Sequence, residues 1–366
     1  MSANDPRTSV PDNMRETRID PLVSGVGGRL IQVALVGYGY WGPNLARCIA
    51  ANRSARLAAI CELSPARAEA ARAAHPHVPV VSEIETVLRD PDIRAVVLAT
   101  LTDTHGQLAL RALAHGKHVM VEKPLAGSSA DAVALSDASA HRSLVLMVDH
   151  TYVFSPAFET ILRLIPDCRL GPVRYYQSTR ANCFGPPNEI SALWDLAVHD
   201  LSMLDTLMLS TPSVVQAVGL SGASGRSTSH AQLTLTYPEG AMATALVSWI
   251  APNKLRTVMI GFDHHTIIWD DLVAGSSVQL FDRGLEPVPD PSNRRQPHTI
   301  AENIPVPPAE SLANAVGHFL DCIAHDISPR SDFAAGMRTI RLLEAADRSL
   351  ANGGSPAQVE IAVGAW

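Results

Sequence analysis

The stretch Leu30-Ile31-Gln32-Val33-Ala34-Leu35-Val36-Gly37-Tyr38-Gly39-Tyr40-Trp41-Gly42 decides the fold. An apolar, β-branched run stops at Gly37-x-Gly39-x-x-Gly42, and a helix-compatible stretch from Pro43 to Ala51 follows. A buried strand, a tight turn and a helix N-terminus in that order make a dinucleotide-binding unit. Gly37 permits the sharp turn out of the strand. Gly39 has no Cβ, so a pyrophosphate can approach the backbone. Gly42 lets the helix pack closely on the strand. The unpaired N–H groups and positive dipole end of the helix then face the phosphates. Tyr40 and Trp41 complete the turn and count among the expected cofactor residues.

A second strand-like run, Arg56 to Glu62, ends in an acid twenty residues past Gly42. A carboxylate at Glu62 accepts hydrogen bonds from ribose hydroxyls and repels a 2′-phosphate, so NAD is expected over NADP. Arg67, close by in sequence, works against that preference. The competing reading is an ordinary strand–turn–helix with a solvated glutamate.

A chain of 366 residues implies two domains, because single cores seldom grow past about 250–300 residues. With 46% hydrophobic and 18% charged residues there is apolar material for both cores. Net charge is −7 and no Lys/Arg cluster stands out, which argues against a nucleic-acid or anionic-membrane surface. The five cysteines, at 48, 61, 168, 183 and 322, have no C-x-x-C spacing and read as free thiols of a reducing cytoplasm. No apolar run is long enough to cross a bilayer. Residues 1–28 are polar, lack the apolar core of a signal peptide, and read as a disordered extension.

From 29 to 150 strand-like and helix-like segments alternate, which implies a doubly wound parallel sheet with ligands at the carboxyl ends of its strands. Ser82 is the expected N-cap of one of these helices. After 151 the pattern changes. Strand-like runs at 173–180, 214–220, 231–237, 241–249, 256–261 and 265–269 are joined by short turns, which means an open, mainly antiparallel sheet covered by helices on one face. A proline-rich stretch at 285–310 reads as an irregular connection, and helices at 311–326 and 333–351 follow. The expected organisation is an α/β cofactor domain at 29–150 and an α+β domain at 151–366 for substrate binding and oligomerisation. The terminal helices of the second are free to pack back on the first. The apolar alternation in 241–249 and 256–269 leaves a sheet face suited to a homodimer or homotetramer contact.

Two constellations carry chemistry. Glu122-Lys123-Pro124 ends the fifth parallel strand, so Lys123 projects toward the crevice and Pro124 stops the strand. A lysine there can stabilise an alkoxide; equally, it reads as an exposed residue of a Lys-Pro turn. Trp194-Asp195-Leu196-Ala197-Val198-His199-Asp200 lies on a helix, where Asp195 and His199 share one face and make a proton-transfer unit. Three other readings stay open: a satisfied core histidine, Asp195 as a helix cap, and a metal site. No His or Cys cluster with metal spacing supports the last.

Together these motifs resemble the glucose–fructose oxidoreductase / inositol dehydrogenase / MocA-like family, over about residues 30–350. The resemblance implies a Rossmann-type NAD domain and an NAD(P)-dependent dehydrogenase or reductase. Its substrate would be a sugar, nucleotide-sugar or cyclitol. It assigns Lys123, Asp195 and His199 to the catalytic site, with His199 as acid/base. It places Thr100, Thr102, His105 and Glu122 near the nicotinamide, with helix capping by Thr102 or Asp103 as the plainer alternative. Arg180 and Asn182, which end a strand shortly before the Trp194–Asp200 helix, join Trp194, Lys123, Asp195 and His199 as expected substrate contacts, with surface polar residues as the equal alternative for the first two. Two other functions remain open: a non-redox sugar-converting enzyme with tightly held NAD, and an NAD-sensing regulator without catalysis.

Overall fold

A computed structural model describes residues 30–140, 143–166, 169–183, 191–208, 210–221, 227–273, 278–282 and 301–360. The segment 1–28, Cys168 and most of the stretch 285–310 lie outside the described residues. Six strands form the first sheet: β1 (Ile31–Val36), β2 (Ala55–Cys61), β3 (Val80–Val81), β4 (Ala95–Leu98), β5 (His118–Glu122) and β6 (Leu146–Asp149). All pair in parallel, in the order β3-β2-β1-β4-β5-β6. The alternation of side chains explains why β1 reads as a continuous apolar run. Ile31, Val33 and Leu35 pack into one core layer, and Ala34 and Val36 into the layer on the opposite face.

Helices α1 (Gly42–Ala51), α2 (Pro65–Ala74), α3 (Ile84–Leu88), α4 (Thr102–Ala114) and α5 (Ser129–Ala140) connect these strands. Helix α3 begins two residues after Ser82, with Glu83 at the cap position, so the expected Ser82 N-cap is not formed. A single 3-10 turn, Thr151–Phe154, and helix α6 (Pro156–Leu164) lead out of β6.

The second sheet has nine strands among the described residues: β7 (Val173–Ala181), β8 (Val214–Ser221), β9 (Thr228–Thr236), β10 (Met242–Ser248), β11 (Leu255–Phe262), β12 (Thr266–Asp270), β13 (Val278–Phe281), β14 (Ala301–Ile304) and β15 (Ala357–Gln358). Their order is β14-β13-β12-β11-β7-β10-β9-β8-β15. Every pair is antiparallel except β7–β10, which is parallel. Short turns predict the hairpins but not this central pair, whose strands are far apart in sequence. Strand β14 falls inside the stretch expected to be irregular. On the covered face Ala243, Ala245 and Val247 of β10 share a core with Leu193, Leu196 and Leu201 of the helical stretch expected around Trp194–Asp200.

That helix has two parts, a π-helical turn at Leu193–Ala197 and α7 (Val198–Leu207). The terminal helices serve both sheets. Leu312, Val316 and Phe319 of α8 (Ser311–His325) pack in one core with Leu45 and Ile49 of α1. From α9 (Phe333–Ala351), Met337 and Ile340 join the first-sheet core and Leu342 and Leu343 join the second. Asp332 caps α9, its carboxylate accepting from the Ala335 N–H at 2.9 Å.

Candidate active site

The glycine turn fits a dinucleotide phosphate. Gly37 has φ +94°, which a side chain would rarely adopt, and a Cβ there would strike the Ala99 carbonyl. A Cβ at Gly42 would lie 2.6 Å from the Gly37 oxygen, so the start of α1 presses against the turn. Around Gly39 there is open space: a Cβ at that position would meet nothing within 4 Å among the described residues. Helix α1 has no side-chain cap, which leaves its first N–H groups for an anion. Tyr40 and Trp41 stand exposed and edge-to-face, ring centroids 5.5 Å apart.

Glu62 closes the turn against β2. Its Oε2 accepts from the Tyr38 N–H at 2.6 Å, and its Oε1 accepts from the Ser64 N–H at 2.7 Å and from Arg67 at 3.0 Å. Burial works against its charge, but these three donors outweigh burial and hold the carboxyl below its usual range. The expected opposition of Arg67 thus takes the form of a direct ion pair with Glu62.

At the carboxyl ends of β4 and β5, His105 is buried with Nδ1 2.8 Å from the Pro124 carbonyl and Nε2 3.1 Å from the Thr100 carbonyl. It ties two crevice loops together and positions them. Thr102 opens α4, whose N-terminus has no side-chain cap, so the capping alternative is not realised. Glu122 and Asp149 are cross-strand partners on β5 and β6, both buried. Burial and the neighbouring Asp149 push Glu122 well above the carboxylate range, and burial pushes Asp149 up as well. Two adjacent buried acids cannot both ionise cheaply, so the pair retains a proton. His150 follows, with both ring nitrogens buried and without a hydrogen-bond partner among the described residues; burial, then the Lys123 charge, pulls it down to about 3.

Lys123 leaves this sheet and meets the helix on the second. Its Nζ donates to Asp195 Oδ1 at 2.7 Å and to the Asp195 carbonyl at 2.9 Å. Asp195 and His199, expected to share one helix face, make no hydrogen bond with each other among the described residues. The π-helical turn widens the spacing that an α-helix would have stacked, and the lysine takes the carboxylate. Such widened turns recur at functional sites. His199 Nδ1 is buried and has no partner among the described residues. Burial, then the charges of Lys123, Arg180 and Arg256, holds the imidazole far below its usual proton affinity, so it is neutral at pH 7. It stands ready to take a proton.

The other expected substrate contacts differ among themselves. Trp194 Nε1 donates to Asp347 of α9 at 2.6 Å, and its ring packs on both cores. That indole is committed to joining the helices. Arg180 is buried and grips Asp200, Nε to Oδ2 at 3.0 Å and Nη2 to Oδ1 at 3.4 Å; Tyr176 OH adds a bond to Oδ1 at 2.9 Å. Asn182 accepts from Arg256 Nη2 at 2.9 Å. One participant escaped the sequence reading. Tyr152 lies 4.9 Å from the His199 ring, centroid to centroid, with the Arg180 guanidinium 4.1 Å from its own. It comes just after the carboxyl end of β6, where parallel sheets collect ligands, and that position is the signal that could have found it. Among the described residues no group of three or more His, Cys, Asp or Glu side chains could hold a metal. No helix among them is long and apolar enough to cross a membrane.

Residues 31–150 match the oxidoreductase family with an NAD-binding Rossmann fold, and residues 158–267 match the GFO/IDH/MocA C-terminal domain. The chain belongs to the GFO/IDH/MocA oxidoreductase family. Among members of this family, the UDP-N-acetylglucosamine 3-dehydrogenase of Acidithiobacillus ferrooxidans is 26% identical over 316 residues, covering 85% of this chain and 94% of that one. The uncharacterized oxidoreductase YdgJ of Escherichia coli is 33% identical over 221 residues, and the match spans 57% of this chain and 62% of YdgJ, less than two thirds of its length. The solved structure of levoglucosan dehydrogenase with NADH and levoglucosan shares the fold, with TM-score 0.80 at 20% identity, covering 91% of this chain and all of that one. The GFO/IDH/MocA chain described here is thus an oxidoreductase with an NAD-binding domain.

Proposed function

We propose that this enzyme moves a hydride between NAD and a secondary hydroxyl, or the matching ketone, of a sugar, nucleotide-sugar or cyclitol. The observation that carries the reading is the 2.7 Å contact between Lys123 and Asp195, one turn ahead of His199. It holds the amine against the helix that carries His199, and the imidazole is close enough to feel the Lys123 charge, which supports a shared site. Bound nicotinamide supplies the hydride acceptor. Two of the three Lys123 N–H donors are taken by Asp195, and the third is left for a substrate oxygen. The ammonium holds that oxygen and stabilises it as negative charge develops. Neutral His199 accepts the hydroxyl proton as hydride leaves the carbinol carbon. Asp195 keeps Lys123 in place and balances its charge. In the reducing direction the same groups return the proton.

NAD is preferred over NADP on this reading. The cavity of about 640 Å³ beside β2 is lined by Glu62, Glu69 and Glu83 against the cation Arg72, which suits no 2′-phosphate. Residues 29–150 form the cofactor half and 151–366 the substrate half. The outward residues Met242, Thr244 and Leu246 of β10 lie on the sheet face proposed for subunit contact. A panel of sugars, sugar acids and cyclitols tests the function by the absorbance of NADH. Reduction of NAD by at least one member, faster than that of NADP, is expected; no reduction by any member would contradict the reading.

A further inference from the structure

Two arginines face each other directly across the second sheet. Arg180 of β7 and Arg256 of β11 are register partners, so their side chains leave the same face side by side. Like charges in that arrangement repel. Arg180 has Asp200, yet its Nη1 is buried and bonded to nothing among the described residues. Arg256 has no carboxylate partner among them. Its acceptors are the Asn182 side-chain oxygen at 2.9 Å, the carbonyls of Leu255 at 3.1 Å and Ala181 at 3.4 Å, and the Tyr152 hydroxyl, none of them a carboxylate. Burial, then Arg180, weakens its hold on its proton. Beyond Asp200, the carboxylate facing this cluster is Asp271, which accepts from Tyr152 OH at 3.1 Å and also faces Lys254. Asp200 and Asp271 act on Arg256 only at a distance, so this half-buried guanidinium has no anion in contact with it among the described residues, which is unfavourable.

We propose that Arg256, with Asn182 and Tyr152, forms a subsite for an anionic substituent of the substrate, a carboxylate or a phosphoryl group, the sealed Arg180 beside it adding positive charge without touching the ligand. The favoured substrate is then an acidic sugar or cyclitol rather than a neutral one. The planar fork of Arg256 suits either oxyanion bidentately. The His199 ring and the Arg180 guanidinium lie 4.9 Å and 4.1 Å from the same Tyr152 ring centre, so the arginine pair lies in the neighbourhood of His199. This inference rests on the reading of Lys123 and His199 as the reacting pair.

Calorimetry on the NADH-loaded protein tests it, with D-glucuronate against D-glucose, D-galacturonate against D-galactose, and D-glucose 6-phosphate. At least one acid should bind roughly tenfold or more tighter than its neutral counterpart, as expected for a charge-assisted fork. Tight uronates identify the carboxylate form, and tight glucose 6-phosphate the phosphoryl form. Arg256→Met should bring the acid-to-neutral ratio close to one, and Arg256→Lys, which keeps charge without the fork, should restore part of it. Equal affinity, or absent binding, across every pair overturns the subsite, as does an Arg256→Met protein that keeps the wild-type ratio. Acid binding without NAD reduction by any panel member would instead sink the redox reading and leave the subsite standing.

Discussion

Two cation–carboxylate pairs hold the same short helical stretch, and they differ in kind. Lys123–Asp195 lies at the crevice, with side chains 10% and 24% exposed. Arg180–Asp200 is sealed, at 3% and 0%. His199 sits between the two carboxylates in sequence. Among the described residues the open pair leaves one Lys123 N–H without a partner, and it joins the two sheets. Among the described residues the carboxylate of the sealed pair is fully engaged, with Tyr176 as its third donor. On the proposed function, the open pair works on substrate while the sealed pair fixes the helix that presents His199.

Removing the acid from each pair breaks this comparison in opposite ways. Asp200→Ala leaves a buried arginine unpaired, and denaturant unfolding should show a loss of about 3–5 kcal/mol. Asp195→Ala should cost only roughly 1–2 kcal/mol, between the exposed and buried limits, yet lower kcat because Lys123 loses its anchor. Equal stability losses with unequal kcat in the reverse order would undo the distinction.

The effect that acidification alone reveals concerns His150, which feels the charge of the open pair's Lys123. Its folded proton affinity is depressed to about 3, whereas the unfolded imidazole titrates near 6.5. On acidification the unfolded chain takes up a proton that the folded chain refuses, so stability falls as pH drops from about 6.5 toward 3. Glu122 and Asp149 act in the other direction, because their raised affinities let the folded state take up protons first. The difference between wild type and His150→Leu isolates the histidine. The variant should gain relative stability by up to about 1.4 kcal/mol for each pH unit of acidification in that window. A pH-independent difference would show that His150 finds a partner in solution.

What could be read from the amino-acid sequence was local. The strand, the Gly37–Gly42 turn and α1 are neighbours in the chain, and periodicity reveals them. Lys123 is legible because Pro124 marks a strand end, and a parallel sheet gathers ligands there. What stayed hidden depends on register or on distant partners. The Asp195 partner lies 72 residues back, which helical spacing could not show. The Arg180–Arg256 pairing needs the β7–β11 register. The two-residue edge strand β15 and the four-residue strands β13 and β14 are too short for an alternation signal. The parallel β7–β10 pair answers to the packing of the whole sheet rather than to any turn.

The central claim is that Lys123 and His199 act on one substrate oxygen. It is tested most directly by a double-mutant cycle on the rate of NADH formation, using the best substrate of the panel and the proteins Lys123→Ala, His199→Ala and both together. Each single change should lower kcat by about 10²–10⁴-fold, the usual contribution of a proton-transferring group. Because the two groups serve the same oxygen, the double variant should be little worse than the weaker single. Losses that multiply, or wild-type rates in either single variant, would contradict the account.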